Sequence, residues 1–373
     1  MASTSDYLRD LAGLGYTFKY NEVTDRIEVN DEPITDMLQA QIRTRMRDMR
    51  HKRMTEVEDA YTAHAWTNRY HPIRDYLTAL TWDGQPNIDK LASHFTDRHG
   101  MFTIYLRRWL IGAVAKTFGR TQNFMLVVSG TQRIGKSYFA GWLCPSALSG
   151  YHVEGAIDTD DKDTWRRLSN NWIWEVGEFG ATTRRADREA LKDFISRLDV
   201  TIRLPYGKHD ITKPALASLI GTINNEGAGF LNDSSGSRRF GVVEFTAIDW
   251  GYSLLDVDQI WAEAWTAYQA GEQWELTTAE RDKQATINEE YEMESGLEGF
   301  LRKYYDLNPA GNNWEAGINI IQELESYGLK GLQIGLLMEL ARVLRKAGHE
   351  RKRIRGVWSY RGIARKTPGQ VVI

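Results

Sequence analysis

Gly130-Thr131-Gln132-Arg133-Ile134-Gly135-Lys136-Ser137 decides how this chain is read. The segment satisfies G-x-x-x-x-G-K-S/T at every fixed position. An apolar run at 124–128 precedes it and a helical candidate at 136–143 follows, so its context is strand, loop, helix. Glycines let a backbone curl until successive N–H groups point inward, and a helix start adds unpaired donors. Gly130, Thr131, Gln132, Arg133, Ile134 and Gly135 therefore predict a phosphate cradle. Lys136 is expected to reach the β- and γ-phosphates, and the Ser137 hydroxyl to bind Mg²⁺. Arg133 faces either solvent or a neighbouring subunit.

Downstream, 171–175 (NWIWE), 217–223 and 239–245 are further strand candidates, with helical candidates between them, 188–198 among others. Such alternation predicts an α/β layer with a mainly parallel sheet. Ligands bind beyond the carboxyl ends of parallel strands. Glu175 closes the strand 172–174 and Glu178 follows three residues later, so both are expected beside the cradle. One acid would hold the metal's water shell; the other would orient or deprotonate an attacking water. The usual adjacent acidic pair is absent, so residue type alone does not divide these roles.

The 373 residues are 42% hydrophobic and 26% charged, an ordinary globular composition with room for two or three domains. Fifty acids against 47 Lys and Arg give a net charge of −3, which excludes a uniformly basic protein. Any nucleic-acid surface must then be local. A single cysteine, Cys144, excludes an internal disulfide and a cysteine-ligated zinc site. The eight histidines are scattered, without HExxH spacing, and the thirteen tryptophans read mostly as core anchors. No apolar run reaches 18 residues and no secretion signal opens the chain, so the expectation is a cytoplasmic protein.

Five segments follow: a small hairpin and helix region (1–60), a helical module (61–122), the phosphate-loop core (123–272), a helical linker (273–295) and a basic module of three helices and a hairpin (296–373). Within the first, Arg43, Arg45, Arg47, Arg50, Lys52 and Arg53 stand against one acid, Asp48. Their uneven spacing spreads them around a helix, as a solvated surface or as one facing phosphates or a subunit.

The chain resembles the virulence-associated protein E family of phage and plasmid origin, and the helicase portions of phage primase–helicases within superfamily 3 of the AAA+ ATPases. The resemblance runs from about Tyr70 to Thr277. It rests on YHPIRDYLTALTWDGQPNIDKL, RRWLIGAVAK, VVSGTQRIGKS, WIWEVGEFG, LKDFISRLDVTIRLPYGK, LIGTINNEGAGFLNDSSGSRRFGVVE and IWAEAWTAYQAGEQWELT. It implies a P-loop AAA+ core with a helical amino-terminal region, and more loosely a winged-helix-like carboxy-terminal module. Glu175 and Glu178 fall at the family's acidic strand-end pair. Asn224 falls at its sensor position, with Asn225 the alternate register. One of Arg238 and Arg239, with Arg238 favoured, would enter the neighbouring subunit's ATP site as an arginine finger.

Superfamily 3 helicases insert a hairpin before the sensor strand and aim it into a ring channel. Here 200–204 and 210–212 flank a Pro-Tyr-Gly-Lys-His turn, so Lys208 and His209 would track phosphates with Arg203 near the base. Tyr206 would stack on a base or brace the turn. Positions 342–366 carry ten basic residues and one acid, ten less one giving +9, with Trp358 and Tyr360 interleaved. Arg351, Lys352, Arg353 and Arg355 head this second expected nucleic-acid face.

The expectation, with the hexamer implied by the resemblance, is a ring-forming ATP- and Mg²⁺-dependent helicase or translocase on single-stranded DNA in phage or plasmid replication, with a primase or other replication proteins as possible partners. Two alternatives are a DNA-dependent ATPase that loads or remodels a replication complex, and a non-catalytic assembly factor with structural nucleotide.

Overall fold

A computed structural model describes residues 2–177, 179, 185–203, 209–224, 231, 237–291 and 296–367. Two compact units emerge: Met1–Gly227 with Asp233–Glu290, and Ala228–Asn232 with Tyr291–Ile373. The architecture is mixed α/β.

The first unit opens with α1 (Thr4–Gly13), whose start is fixed by a capping box between Ser3 and Asp6. Next come β1 (Phe18–Asn21), β2 (Arg26–Val29), β3 (Glu32–Pro33), α2 (Asp36–Asp48), α3 (Met54–Thr67) and β4 (Arg69–Tyr70), the strands ordered β3-β2-β1-β4. In the basic run the helix ends at Asp48, and several cations find partners at home. Arg43 pairs with Glu58 at 3.1 Å, Arg53 with Glu56 at 2.5 Å, and Arg45 lies over the Tyr16 ring.

α4 (Pro72–Ala79), α5 (Asn87–Ser93), β5 (Phe95–Asp97) and α6 (Phe102–Phe118) follow. Here the structure departs from the expected all-helical stretch. Phe95 leaves the helix because its ring belongs to an aromatic cluster with Phe102, Phe139, Phe245 and Tyr252, at centroid separations of 4.7–5.0 Å. The segment 95–97 therefore becomes a strand at the edge of the main sheet.

β6 (Met125–Gly130), α7 (Lys136–Trp142), β7 (His152–Glu154), α8 (Lys162–Asn170), β8 (Ile173–Val176), α9 (Arg185–Ser196), β9 (Asp199–Arg203), β10 (Asp210–Pro214), β11 (Ser218–Asn224) and β12 (Phe240–Ile248) complete the strands of this unit. The main sheet runs β5-β12-β6-β11-β8-β7. Its last five strands are parallel and β5 alone is antiparallel. β6 is buried along its whole length, as an apolar strand covered on both faces should be. α6 backs the sheet: Trp109 Nε1 donates to the Leu219 carbonyl and Lys116 Nζ to that of Ala217. β9 and β10 form a separate antiparallel pair leading into β11.

α10 (Val257–Gln269) packs on α6, is capped by Ala270, and is followed by Gly271, whose φ of 77° turns the chain out of the helix. α11 (Thr278–Glu290) was expected to be solvated or a linker. Instead Gln284 and Asn288, both buried, donate to the Phe240 carbonyl and tie the helix to β12.

The second unit contains α12 (Gly296–Tyr304), β13 (Tyr305–Leu307), β14 (Trp314–Ala316), α13 (Gly317–Ser326), α14 (Gln333–Lys346), β15 (Arg351–Ile354), β16 (Val357–Arg361) and β17 (Ile363–Arg365). Leu301, Ile320, Ile321, Leu324, Leu340 and Leu344 form its dry centre. The sheet order is β14-β16-β15, and β17 pairs with β13. Arg355 and Gly356, at φ 49° and 83°, make the two-residue left-handed turn that joins β15 to β16. Among the described residues no helix is long and apolar enough to cross a membrane.

Candidate functional site

The parallel register sets the site. Ile223 and Asn224 on β11 lie opposite Ser129 and Gly130 on β6, and Ile220 lies opposite Glu175 on β8. The glycine loop and Asn224 therefore share one end of the sheet, while Glu175, on a shorter strand and level with Leu126, is tied to the loop by the Ser137 hydroxyl.

In the loop, Gly130 has φ 156° and a side-chain carbon there would meet the Phe245 carbonyl oxygen at 2.8 Å. Gly135 has φ 113°, a left-handed value that glycine tolerates best, and its α-carbon lies against the Trp250 ring. The two glycines turn the chain back over the end of β6. Lys136 follows, 7% exposed, with its ammonium donating to the carbonyls of Gly130 (2.8 Å) and Thr131 (2.8 Å) and to Asn224 Oδ1 (3.1 Å). Burial lowers the Lys136 pKa from its ordinary value.

Glu175 is 2% exposed. Burial raises its pKa, the Ser137 hydroxyl opposes that shift by hydrogen-bonding the carboxylate, and the charge of Glu154 adds to it. Its Oε1 is buried without a hydrogen-bond partner. An anionic oxygen held this way is a natural acceptor for a cation or for a water in a cation's shell. A cavity of about 360 Å³ opens here, lined by Lys136, Ser137, Glu154, Thr222 and Asn224 among others. Among the described residues no group of three or more His, Cys, Asp or Glu could hold a metal ion. A hydroxyl, one buried carboxylate and a second acid are still the donor set Mg²⁺ uses when phosphate oxygens and waters supply its other ligands.

Glu154 is the acid that sequence reasoning missed. It sits opposite Glu175 across β7 and β8. A three-residue strand preceded by a 3₁₀ turn gives no pattern by which to place it. Glu178, Tyr206 and Lys208 lie outside the described residues, as does the alternate Asn225.

The two arginines are elsewhere. β12 pairs Phe240 with Met125 and Phe245 with Gly130, so Arg238 and Arg239 stand at the end of the sheet opposite the glycine loop. Arg238 is exposed, whereas Arg239 is half-buried with its Nε donating to Ser196 Oγ at 2.5 Å. Arg203 and His209 are exposed on the β9–β10 pair. In the second unit Arg351, Lys352, Arg353 and Arg355 are all exposed. Arg351 and Arg353 flank the Trp358 ring at 4.6 and 5.1 Å, and Lys352 covers Trp314 at 4.0 Å. Not all of the +9 stretch is available, because Arg361 pairs with Glu350 and Arg365 with Glu323.

Comparison with known proteins places this arrangement. Two solved structures of the NrS-1 C-terminal region in its apo form are similar in fold. One has a TM-score of 0.51 at 12% identity, covering 98% of this chain and 100% of that one. The other has 0.51 at 13% identity, covering 95% and 99%. No curated protein matches the sequence. Residues 77–293 match the family model described as the virulence-associated protein E-like domain, a span that holds every strand of the main sheet and the whole candidate site. The chain belongs to the virulence-associated protein E-like domain family.

Proposed function

We propose that this chain is an Mg²⁺-dependent ATP hydrolase of the AAA+ superfamily 3 kind, assembling as a ring, of six subunits by analogy, that translocates on single-stranded DNA and unwinds duplex during replication of a mobile element. The observation that carries the reading is the convergence of Lys136, Ser137, Glu154 and Asn224 on one cavity beside the glycine loop, with the buried Glu175 carboxylate hydrogen-bonded to Ser137 behind it. ATP supplies the phosphoanhydride bond, and Mg²⁺ neutralises charge on its phosphates.

The chain's own groups do the rest. Inward N–H groups of 130–136 seat the phosphates. Lys136 exchanges its carbonyl partners for phosphate oxygens, keeping Asn224 within reach of the same position. Ser137 and Glu175 hold the metal's shell, and Glu178 is assigned the preparation of the attacking water. Arg238, at the far end of the sheet, serves a neighbour's site rather than its own. On the same reading Arg203, Tyr206, Lys208 and His209 grip the single strand through the β9–β10 hairpin. The second unit, whose β14-β16-β15 order with three helices suits a winged helix, adds Arg351, Lys352, Arg353 and Arg355 as a phosphate-binding wing.

The test is ATP turnover by the whole chain with and without single-stranded DNA, beside strand displacement from duplexes bearing 3′ or 5′ tails. Lys136→Ala should abolish turnover. Near-normal hydrolysis by that variant overturns the site. DNA-stimulated turnover without displacement from either tail supports a loading or remodelling ATPase instead.

A further inference from the structure

Two aromatic rings beside the glycine loop, Tyr138 in the cavity wall and Trp250 packed against Gly135, are given no part in phosphate or metal binding. Tyr138 directly follows Ser137, lines the cavity and is 54% exposed. Trp250 arrives from the 3₁₀ turn after β12 and is 49% exposed. The rings meet edge to face at 5.3 Å. Both stand at the loop itself, because the benzo edge of Trp250 covers the α-carbon of Gly135.

Trp250 is held in place from behind. Asp249 accepts from the Gly251 amide at 3.0 Å and pairs with His94 at 2.7 Å, while its own amide donates to the His94 carbonyl at 2.7 Å. Tyr252, fully buried, stacks on Trp250 at 6.2 Å and anchors the turn in the aromatic cluster around Phe95. A tryptophan this firmly mounted, yet half in water, presents apolar area that a flat ligand would cover.

We infer that Tyr138 and Trp250 form the base-stacking platform of the nucleotide site, so that the ring system of a nucleoside triphosphate binds on them while its phosphates occupy 130–137. This rests on the phosphate-site reading above and deepens it. Stacking rewards ring area, so purine nucleotides should bind more tightly than pyrimidine ones. It also predicts that the phosphate chain alone binds much more weakly than the whole nucleotide.

The experiment is calorimetric titration of the full chain, in Mg²⁺, with inorganic tripolyphosphate, ATP and CTP. Tyr138→Ala and Trp250→Ala are titrated alongside. Tyr138 is an exposed helical position where alanine is well tolerated, which keeps the test readable if removing Trp250 disturbs the loop. The wild type should prefer ATP to CTP and CTP to tripolyphosphate. Each variant should lose roughly 5- to 150-fold in ATP affinity, the range that stacking energies imply, with tripolyphosphate affinity little changed. An ATP-to-tripolyphosphate ratio unaltered in Tyr138→Ala overturns the platform while leaving the phosphate site standing. A changed assembly state in Trp250→Ala with that ratio intact also overturns it, in favour of a subunit contact. Binding of neither ATP nor tripolyphosphate by the wild type overturns the phosphate site and the platform together.

Discussion

Mixing two inactive variants tests the proposed assembly most directly. From Phe240 to Phe245, β12 keeps register with β6 from Met125 to Gly130. Five residues of strand at about 3.3 Å each put roughly 16 Å between the start of β12 and the level of the glycine loop. Arg238 lies two residues further back, so an arginine side chain cannot cross to the loop of its own protomer. If Arg238 meets a γ-phosphate, that phosphate belongs to a neighbour. Arg238→Ala alone should then cost about a thousandfold or more in turnover, as arginine fingers do. Lys136→Ala alone should be as inactive. In an equal mixture, about one interface in four joins an intact Lys136 loop to an intact Arg238, so turnover should return to roughly a quarter of wild type if interfaces act independently. Native mass spectrometry of the same sample establishes that mixed assemblies are present. Mixed assemblies with no recovered hydrolysis at any ratio refute the argument. Recovery with Arg239→Ala in place of Arg238→Ala moves the role one residue, against the Ser196 bond that holds Arg239 to its own protomer.

Two further outcomes follow from local geometry. Gly135→Ala places a side chain at φ 113° with the Trp250 ring atoms 2.8 and 2.9 Å away; the backbone alone costs about 1–2 kcal/mol, so nucleotide affinity should collapse while circular dichroism stays native, and unchanged ATP binding by titration would show that the loop does not seat phosphate. Lys116 is buried with its ammonium donating to the Ala217 carbonyl, and burial pulls its pKa down to about 7. Between pH 7 and its ordinary value near 10.5 the unfolded chain then binds a proton that the folded chain does not. Stability should therefore rise with pH across that window, with the deficit fully present below it, and Lys116→Met should flatten the rise in urea titrations. An equally steep rise in the variant would refute the assignment.

The glycine loop and its strand partners were legible because each carries a local signature. A full phosphate-loop pattern sat between an apolar run and a helix, and Asn224 closed another apolar run. Glu154 was not legible, since its importance comes from lying beside Glu175 across β7 and β8, a pairing between residues 21 positions apart that no local pattern encodes. Trp250 was hidden among thirteen tryptophans whose expected role was packing. Trp109, Trp172, Trp174 and Trp261 do fill the core, and only the fold separates them from a ring left half exposed against the glycine loop. Phe95 was hidden for a related reason: it lies in a stretch read as a helical module, and its place in a five-ring cluster, which draws 95–97 into the sheet, is set by rings distant in sequence. The basic carboxy-terminal stretch was legible as charge and not as geometry, because partners such as Glu323 approach it from other elements.

In the proposed assembly, strand polarity would let one sheet serve two subunits. The glycine loop and Asn224 gather at the carboxyl ends of parallel strands, and Arg238 and Arg239 gather before the amino end of β12. The β9–β10 pair enters the sheet at that second pole, since Pro214 at its base leads within a few residues to the start of β11. Ser196, which accepts from Arg239, lies just ahead of Asp199, where β9 begins. The arginines and the root of the hairpin therefore share one local network, while the protomer's own glycine loop is a full strand length away. On the proposed assembly, coupling between hydrolysis and hairpin position would have its shortest route across a subunit boundary, from a neighbour's phosphate at Arg238 through the adjoining Arg239 to Ser196 and β9. Along β11 the alternative route is stiff, because Trp109 and Lys116 pin its amino end to α6.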